Sequence, residues 1–219
     1  MLAFDISQFF PSLNYHLLLK FFDKAGFDPK VSKFFSNYLV GQQTNYIWNN
    51  FSSQLFSVDV GVDQGLALSS ILSALYLSPV LYILEKELKN LKIPIFFLSF
   101  VNYGLLITQN KSLFVSNSFL FCSYQIISSL LKKFGLKLEY SKTKIFHFLH
   151  STDSFNLPPL DLSPLNSPIL QPRNTWKYFG FIFDRKLSFW SYINFYTNKA
   201  ISMVKSMKLL RNSTYGLVS

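Results

Sequence analysis

Asp5 closes a short apolar run, Met1-Leu-Ala-Phe-Asp5-Ile, and Phe10 follows five residues later, so a carboxylate stands at a predicted strand end with an aromatic nearby. A second apolar tract, Phe97-Leu-Ser-Phe-Val-Asn102-Tyr103-Gly104-Leu-Leu-Ile, reads as a hairpin whose tip carries no carboxylate. A strand end beside a hairpin tip can hold oxygen ligands rigidly around divalent cations, which is what two-metal phosphoryl transfer requires. Here Asp5 would stand alone, because Asn102 offers an uncharged carbonyl and Tyr103 is a poor Mg²⁺ ligand at neutral pH. Taken alone, Asp5 reads as a strand-end carboxylate capping the following helix, and a cation site here would have an incomplete ligand set.

Other candidates are weaker. Asp59 and Asp63 flank a turn in a different segment and read as solvent-facing. His16, His147 and His150 have no carboxylate or thiol at ligand spacing, so a zinc site with three or four convergent ligands is not expected. The single cysteine, Cys122, cannot form an intramolecular disulfide and reads as a core residue of a protein from a reducing compartment.

The 219 residues are 49% hydrophobic and 15% charged, which excludes a disordered chain and leaves ample material for a core. Lys and Arg number 21 against 11 Asp and Glu, a net charge of +10 that favours polyanions such as nucleic acid. Arg185, Lys186, Lys199, Lys205, Lys208 and Arg211 follow Asp184 with no further acidic residue. Lys199, Lys205, Lys208 and Arg211 are candidate phosphate contacts, although the same spacing suits the solvated face of a helix. Residues 66–84 lack charge and approach bilayer-spanning length. Their serines, Pro79 and the continuation Glu85-Lys86-Glu87-Leu88-Lys89 argue for a buried helix, so no membrane partner is expected. No cationic and apolar leader opens the sequence, and an intracellular location, nuclear or cytoplasmic, is expected.

The elements that must position these residues follow from turn and cap chemistry. Residues 1–6 read as a strand; Pro11, Ser12 and Asn14 offer a start for one helix, ending at Gly26, and Asp28-Pro29 for a second. Residues 44–48 and 54–60 read as a hairpin around Asn49-Asn50, before the long helix beginning near residue 66. Strands are expected at 95–101 and 105–108 around an Asn102-Tyr103-Gly104 turn, then a helix from 113 to 134 stopped by Gly135, and a strand at 145–149. The prolines at 158, 159, 164, 168 and 172 predict an extended connector without regular structure. Residues 176–183 read as a strand and 189–210 as a helix.

Four segments in order carry a family resemblance. Phe4-Asp5-Ile-Ser-Gln-Phe-Phe10-Pro-Ser-Leu13, Gly61-Val-Asp-Gln64-Gly65-Leu-Ala-Leu-Ser-Ser70, Phe100-Val-Asn102-Tyr103-Gly104 and Trp176-Lys-Tyr178-Phe179-Gly180-Phe181 resemble the palm of reverse transcriptases from LINE-type non-LTR retrotransposons, nearest the fungal branch. The resemblance implies an α+β fold, an antiparallel palm sheet backed by helices over residues 1–183, with a truncated thumb-like basic helix over 184–219. It implies that Asp5 is a remnant metal ligand and that Asn102 and Tyr103 stand where the family has two aspartates.

It also implies that Phe10, Gln64, Gly65 and Lys142 line the nucleotide and template site, the lysine lying within Phe134-Gly135-Leu136 and Ser141-Lys142-Thr143-Lys144. Tyr178, Phe179, Gly180 and Phe181 would brace the primer. Ser70 and Phe179 depart from the usual Pro and Leu. Mg²⁺ is the implied ancestral cofactor, and an RNA template with a DNA primer, or an RNA–DNA hybrid, the implied partner. Without the hairpin aspartates the pair of cations should not be retained and polymerase activity should be lost. The family's fingers and an endonuclease are not recognised in this sequence. A non-catalytic nucleic-acid-binding module is the alternative expectation, and a membrane-associated protein built on residues 66–84 the third.

Overall fold

The computed structural model describes residues 1–63, 65, 67–149, 157–163 and 168–211, the side chains of residue 67 and of residues 208–211 excepted. In chain order the elements are β1 (Leu2–Ser7), α1 (Tyr15–Lys24), α2 (Pro29–Leu39), β2 (Gln42–Thr44), β3 (Ile47–Trp48), β4 (Phe51–Ser52), β5 (Phe56–Val58) and α3 (Ala67–Asn90). There follow β6 (Ile95–Phe100), β7 (Tyr103–Thr108), α4 (Leu113–Lys133), β8 (Lys137–Leu138), β9 (Lys144–Ile145), β10 (Leu160–Asp161), β11 (Ile169–Leu170), β12 (Thr175–Tyr178), β13 (Phe181–Asp184) and α5 (Trp190–Arg211). Mixed helices and antiparallel sheet make this the expected α+β fold. Two compact units divide it, Met1–Lys144 with Leu160–Leu170, and Ile145–Pro159 with Gln171–Ser219.

Local chemistry explains the helix ends. The Asn14 side chain accepts from the Leu17 N–H at 3.0 Å and Asp28 from the Lys30 N–H at 2.8 Å, each satisfying an orphan first-turn donor. Gly135, at φ +74°, ends α4, and the Leu136 N–H returns to the Leu131 carbonyl at 2.9 Å.

The sheet of the first unit runs in the order β6-β7-β1-β8, with antiparallel neighbours. Alternation sends Leu2, Phe4 and Ile6 to one face and Ala3, Asp5 and Ser7 to the other. Phe4 stacks on Phe97, centroids 6.2 Å apart, and meets Tyr124 of α4 edge-on at 6.0 Å. Leu2, Leu106, Leu120, Ile127 and Leu131 are buried, as are Leu72, Tyr76, Val80, Leu84 and Leu88 along one stripe of α3. The expected helix is therefore present with Pro79 inside it, and it is buried along this stripe while Ile71 and Tyr82 are exposed. By length and composition both α3 and α4 are apolar enough to cross a membrane.

Several expectations are corrected. The hairpin turn is Val101-Asn102; Tyr103 and Gly104 lie within β7, opposite Phe100 and Ser99. Val101 takes φ +54°, unusual for a β-branched residue, and the turn is tied to β1 where the Ile6 N–H donates to the Asn102 carbonyl at 2.8 Å. Residues 160–161 and 169–170 form a two-stranded antiparallel pair inside the proline-rich stretch, because Pro159, Pro168 and Pro172 stand outside the paired residues. Residues 175–184 form a hairpin, turning at Phe179 and Gly180, both at positive φ, where a single strand was expected. The strand expected at 145–149 reaches only Ile145. Cys122 is exposed, since the buried positions of α4 (116, 117, 120, 123, 124, 127, 128, 130 and 131) form a helical stripe that misses it.

Gly104 sits against Phe4. A Cβ added there would overlap the Phe4 ring, and the backbone of Gly104 is otherwise ordinary. Gly104→Ala should therefore lower the urea midpoint by an amount corresponding to about 1–3 kcal/mol of overpacking. Combining it with Phe4→Leu should cost less than the sum of the two single changes.

Candidate functional site

The β1–β7 register pairs Asp5 with Tyr103, so residues 97 or more apart in sequence share one sheet face. Asp5 is 1% exposed. Its Oδ1 accepts from the Asn102 amide Nδ2 at 2.5 Å, and its Oδ2 from the Lys142 ammonium at 2.7 Å. A buried carboxylate left unpaired would be costly, and here both oxygens are engaged.

Lys142 is delivered by a 3₁₀ turn, Tyr140–Lys142, that is itself hung from β1. The Glu139 N–H donates to the Asp5 carbonyl at 2.8 Å, and the Lys142 and Thr143 N–H groups close the turn onto Glu139 and Tyr140. The Glu139 carboxylate accepts from Ser141 Oγ at 2.7 Å and Ser7 Oγ at 3.2 Å. Those hydroxyls, Ser141 first, hold Glu139 below the usual carboxylate range. The hydrogen bond and charge of Asp5 raise the Lys142 ammonium above its ordinary value, so the lysine is charged throughout the neutral range. Glu139 escaped the sequence reading; the signal was its place three residues before Lys142, one 3₁₀ turn away.

This donor set does not fit a pair of Mg²⁺ ions, which need several anionic or carbonyl oxygens at open positions. Asp5 is already bonded on both oxygens, Asn102 faces it with its amide N–H, and Tyr103 brings a phenol. Among the described residues no group of three or more His, Cys, Asp and Glu could hold a metal ion. Asp59 and Asp63 are exposed, as expected. His147 is buried against the Pro158 carbonyl at 3.3 Å, and burial holds its ring below the ordinary imidazole range. His150 lies outside the described residues.

Phe10 opens a second feature of the same unit. It is half-buried in a 3₁₀ turn, Phe10–Ser12, and lines a cleft of about 580 Å³ with Gln42, Thr44, Val58, Gly61 and Asp63. The Gly61 and Val62 N–H groups donate to Leu13 and Phe10 carbonyls at 2.8 and 2.9 Å, and the Tyr15 hydroxyl donates to the Gly61 carbonyl. Gly61 has φ +91°, and a Cβ there would meet the Pro11 backbone at 2.9 Å. Gly65, at φ +101°, lies in open space, while Gln64 lies outside the described residues.

In the second unit the β12–β13 hairpin carries Tyr178, Phe179, Gly180 and Phe181. Tyr178 stands 4.2 Å from Phe179 and 4.5 Å from Trp176; Phe181 stacks on Tyr192 of α5 at 5.5 Å. The Tyr196 hydroxyl donates to the Gly180 carbonyl at 2.8 Å, which fastens the tip to α5. Phe179 and Phe181 are exposed. Lys199 and Lys205 are exposed on α5; the side chains of Lys208 and Arg211 lie outside the described residues.

Residues 1–183 match the family described as reverse transcriptase (RNA-dependent DNA polymerase). The chain belongs to the reverse transcriptase family. Its fold is similar to apo telomerase from Candida tropicalis (TM-score 0.56, 16% identity, 86% of this chain and 31% of that one). It is also similar to telomerase from Candida albicans in complex with a TWJ fragment of telomeric RNA (TM-score 0.52, 16% identity, 85% and 30%). This chain thus spans under a third of the length of these structures. No curated protein matches it.

Behind the centre, the Tyr124 hydroxyl lies 3.3 Å from Thr143 Oγ1, and burial pushes this phenol up to about 12. An unfolded tyrosine releases its proton near pH 10, while the folded one keeps it. Stability should consequently fall between about pH 10 and 12, by roughly 2–3 kcal/mol from this residue. Denaturant midpoints across that range should drop less for Tyr124→Phe than for the native sequence.

Proposed function

We propose that this chain is a reverse transcriptase palm of the LINE-type, non-LTR retrotransposon class, fungal branch, whose ancestral RNA-templated DNA synthesis is lost. One observation carries the reading of lost activity: the hairpin brings no carboxylate to Asp5, and both Asp5 oxygens are taken by Lys142 and Asn102. Two-metal transfer needs anionic ligands that bring a pair of cations to the triphosphate and the primer 3′ oxygen. Asn102 and Tyr103 supply none at the hairpin. Support for the retrotransposon assignment comes from the four sequence segments and their order.

In this reading residues 1–183 are the palm, 184–219 the start of a thumb, and Mg²⁺ an ancestral cofactor no longer held. Phe10, Gln64, Gly65 and Lys142 descend from a nucleotide and template site, and Tyr178, Phe179, Gly180 and Phe181 from a primer brace. The setting is intracellular, nuclear or cytoplasmic. Template-directed extension of a DNA primer on an RNA template, with Mg²⁺ or Mn²⁺, should be undetectable. Extension that Asp5→Ala abolishes would overturn this.

The second reading, a nucleic-acid-binding module without chemistry, is favoured by α5. Asp184, the last acidic residue, accepts from the Lys186, Ser188 and Phe189 N–H groups, and beyond it the charge is entirely positive. An RNA–DNA hybrid or RNA partner should bind with a log affinity that falls linearly with log salt. Replacing Lys199 and Lys205 together by alanine should reduce that slope by roughly 1–2. An unchanged slope would remove α5 from the contact surface.

A further inference from the structure

We propose that the Lys142 ammonium is a built-in counter-ion standing in for a divalent cation, so that the palm centre has become a structural ion pair and folds independently of metal. The proposal rests on reading the site as a palm centre without its hairpin carboxylates, and it adds what took over the cation's electrostatic task.

The two partners differ in a telling way. The Asp5 side chain is 2% exposed and the Lys142 side chain 61% exposed. A pair exposed on both sides contributes little, since water screens it. A buried carboxylate reached by an ammonium from the solvent side is different: taking the cation away leaves a desolvated charge with one neutral donor. Lysine suits the task because its long stem carries a compact point charge with three donors across the gap.

Three hydrogen-bonded links, two along the backbone and one from a hydroxyl, make the position built and not incidental. Glu139 is bonded to the Asp5 carbonyl, the 3₁₀ turn closes onto Glu139, and the Thr143 hydroxyl donates to the Glu139 carbonyl at 3.1 Å. Lys142 is thus anchored to the same strand residue its side chain neutralises. The Asn102 amide completes the lock, since a cation shared by residues 5 and 102 would require that amide to turn over and the ammonium to leave.

Thermal melts of the full chain with EDTA, Mg²⁺ or Mn²⁺ test this separately from primer extension. The native sequence should melt at one temperature in all three. Lys142→Met should melt lower by roughly 3–8 °C. Lys142→Arg should stay near the native value, and Asp5→Asn in the Lys142→Met background should recover most of the loss. Millimolar Mn²⁺ should raise the melting point of Lys142→Met alone.

A native chain stabilised by Mn²⁺, a Lys142→Met chain as stable as the native one, or a Lys142→Met chain indifferent to Mn²⁺ would each defeat the proposal. Should Lys142→Met fail to fold, recovery of folding by the added Asp5→Asn supports the charge lock, and failure of the pair overturns it in favour of shape. Primer extension by the native chain would refute the lost activity while leaving the melts to judge the counter-ion.

Discussion

The antiparallel register between β1 and β7 is the constraint from which the centre follows. Leu2 faces Leu106, Phe4 faces Gly104 and Asp5 faces Tyr103. Strand alternation then puts Phe4 among the aromatics of α4 and β6 while Asp5 goes to the opposite face. A slip of one residue would exchange them, driving a carboxylate into the apolar core. Gly104 guards the register sterically, since the Phe4 ring occupies the space a side chain there would need.

Once the register is set, the charge of Asp5 must be answered locally, because the residue is almost wholly buried. Several carboxylates converging on one point would repel one another and call for cations between them. Asn102 and Tyr103 bring no carboxylate to the hairpin, and the Lys142 ammonium meets Asp5 at 2.7 Å. The turn carrying that ammonium hangs from the carbonyl of Asp5 itself, so the fold that buries the charge also brings its partner.

The cleft beside Phe10 depends on similar backbone economy. Gly61 and Val62 donate to carbonyls of the Phe10–Leu13 turn, and the close approach at Pro11 leaves no room for a Cβ at position 61. Two segments distant in the numbering therefore meet through main-chain bonds, while Gln42, Thr44 and Val58 of the β2–β5 pair also line the cleft. Shape here comes from glycine and backbone, and side chains only line it.

The sequence made the helices and several of their ends legible, because hydrophobic period, Asp28-Pro29 and Gly135 act over a few residues, although it left Pro11, Ser12 and Asn14 open as the start of α1. It also determined that the hairpin lacks carboxylates, which needs only residue identity. Turn placement was less legible: Val101 enters a left-handed conformation that its own side chain disfavours, and only the bond from Ile6 to the Asn102 carbonyl explains it. The short pair at 160–161 and 169–170 was hidden by prolines that turn out to flank it.

What Asp5 touches emerges on folding alone. Lys142 lies 137 residues away, and no local rule connects a lysine in a 3₁₀ turn to a strand-end carboxylate until the sheet brings them within 2.7 Å. Glu139 gains its meaning in the same way, from Ser7 across β1 and β8. Short-range stereochemistry is written in neighbouring residues, whereas charge compensation depends on distances that only folding creates.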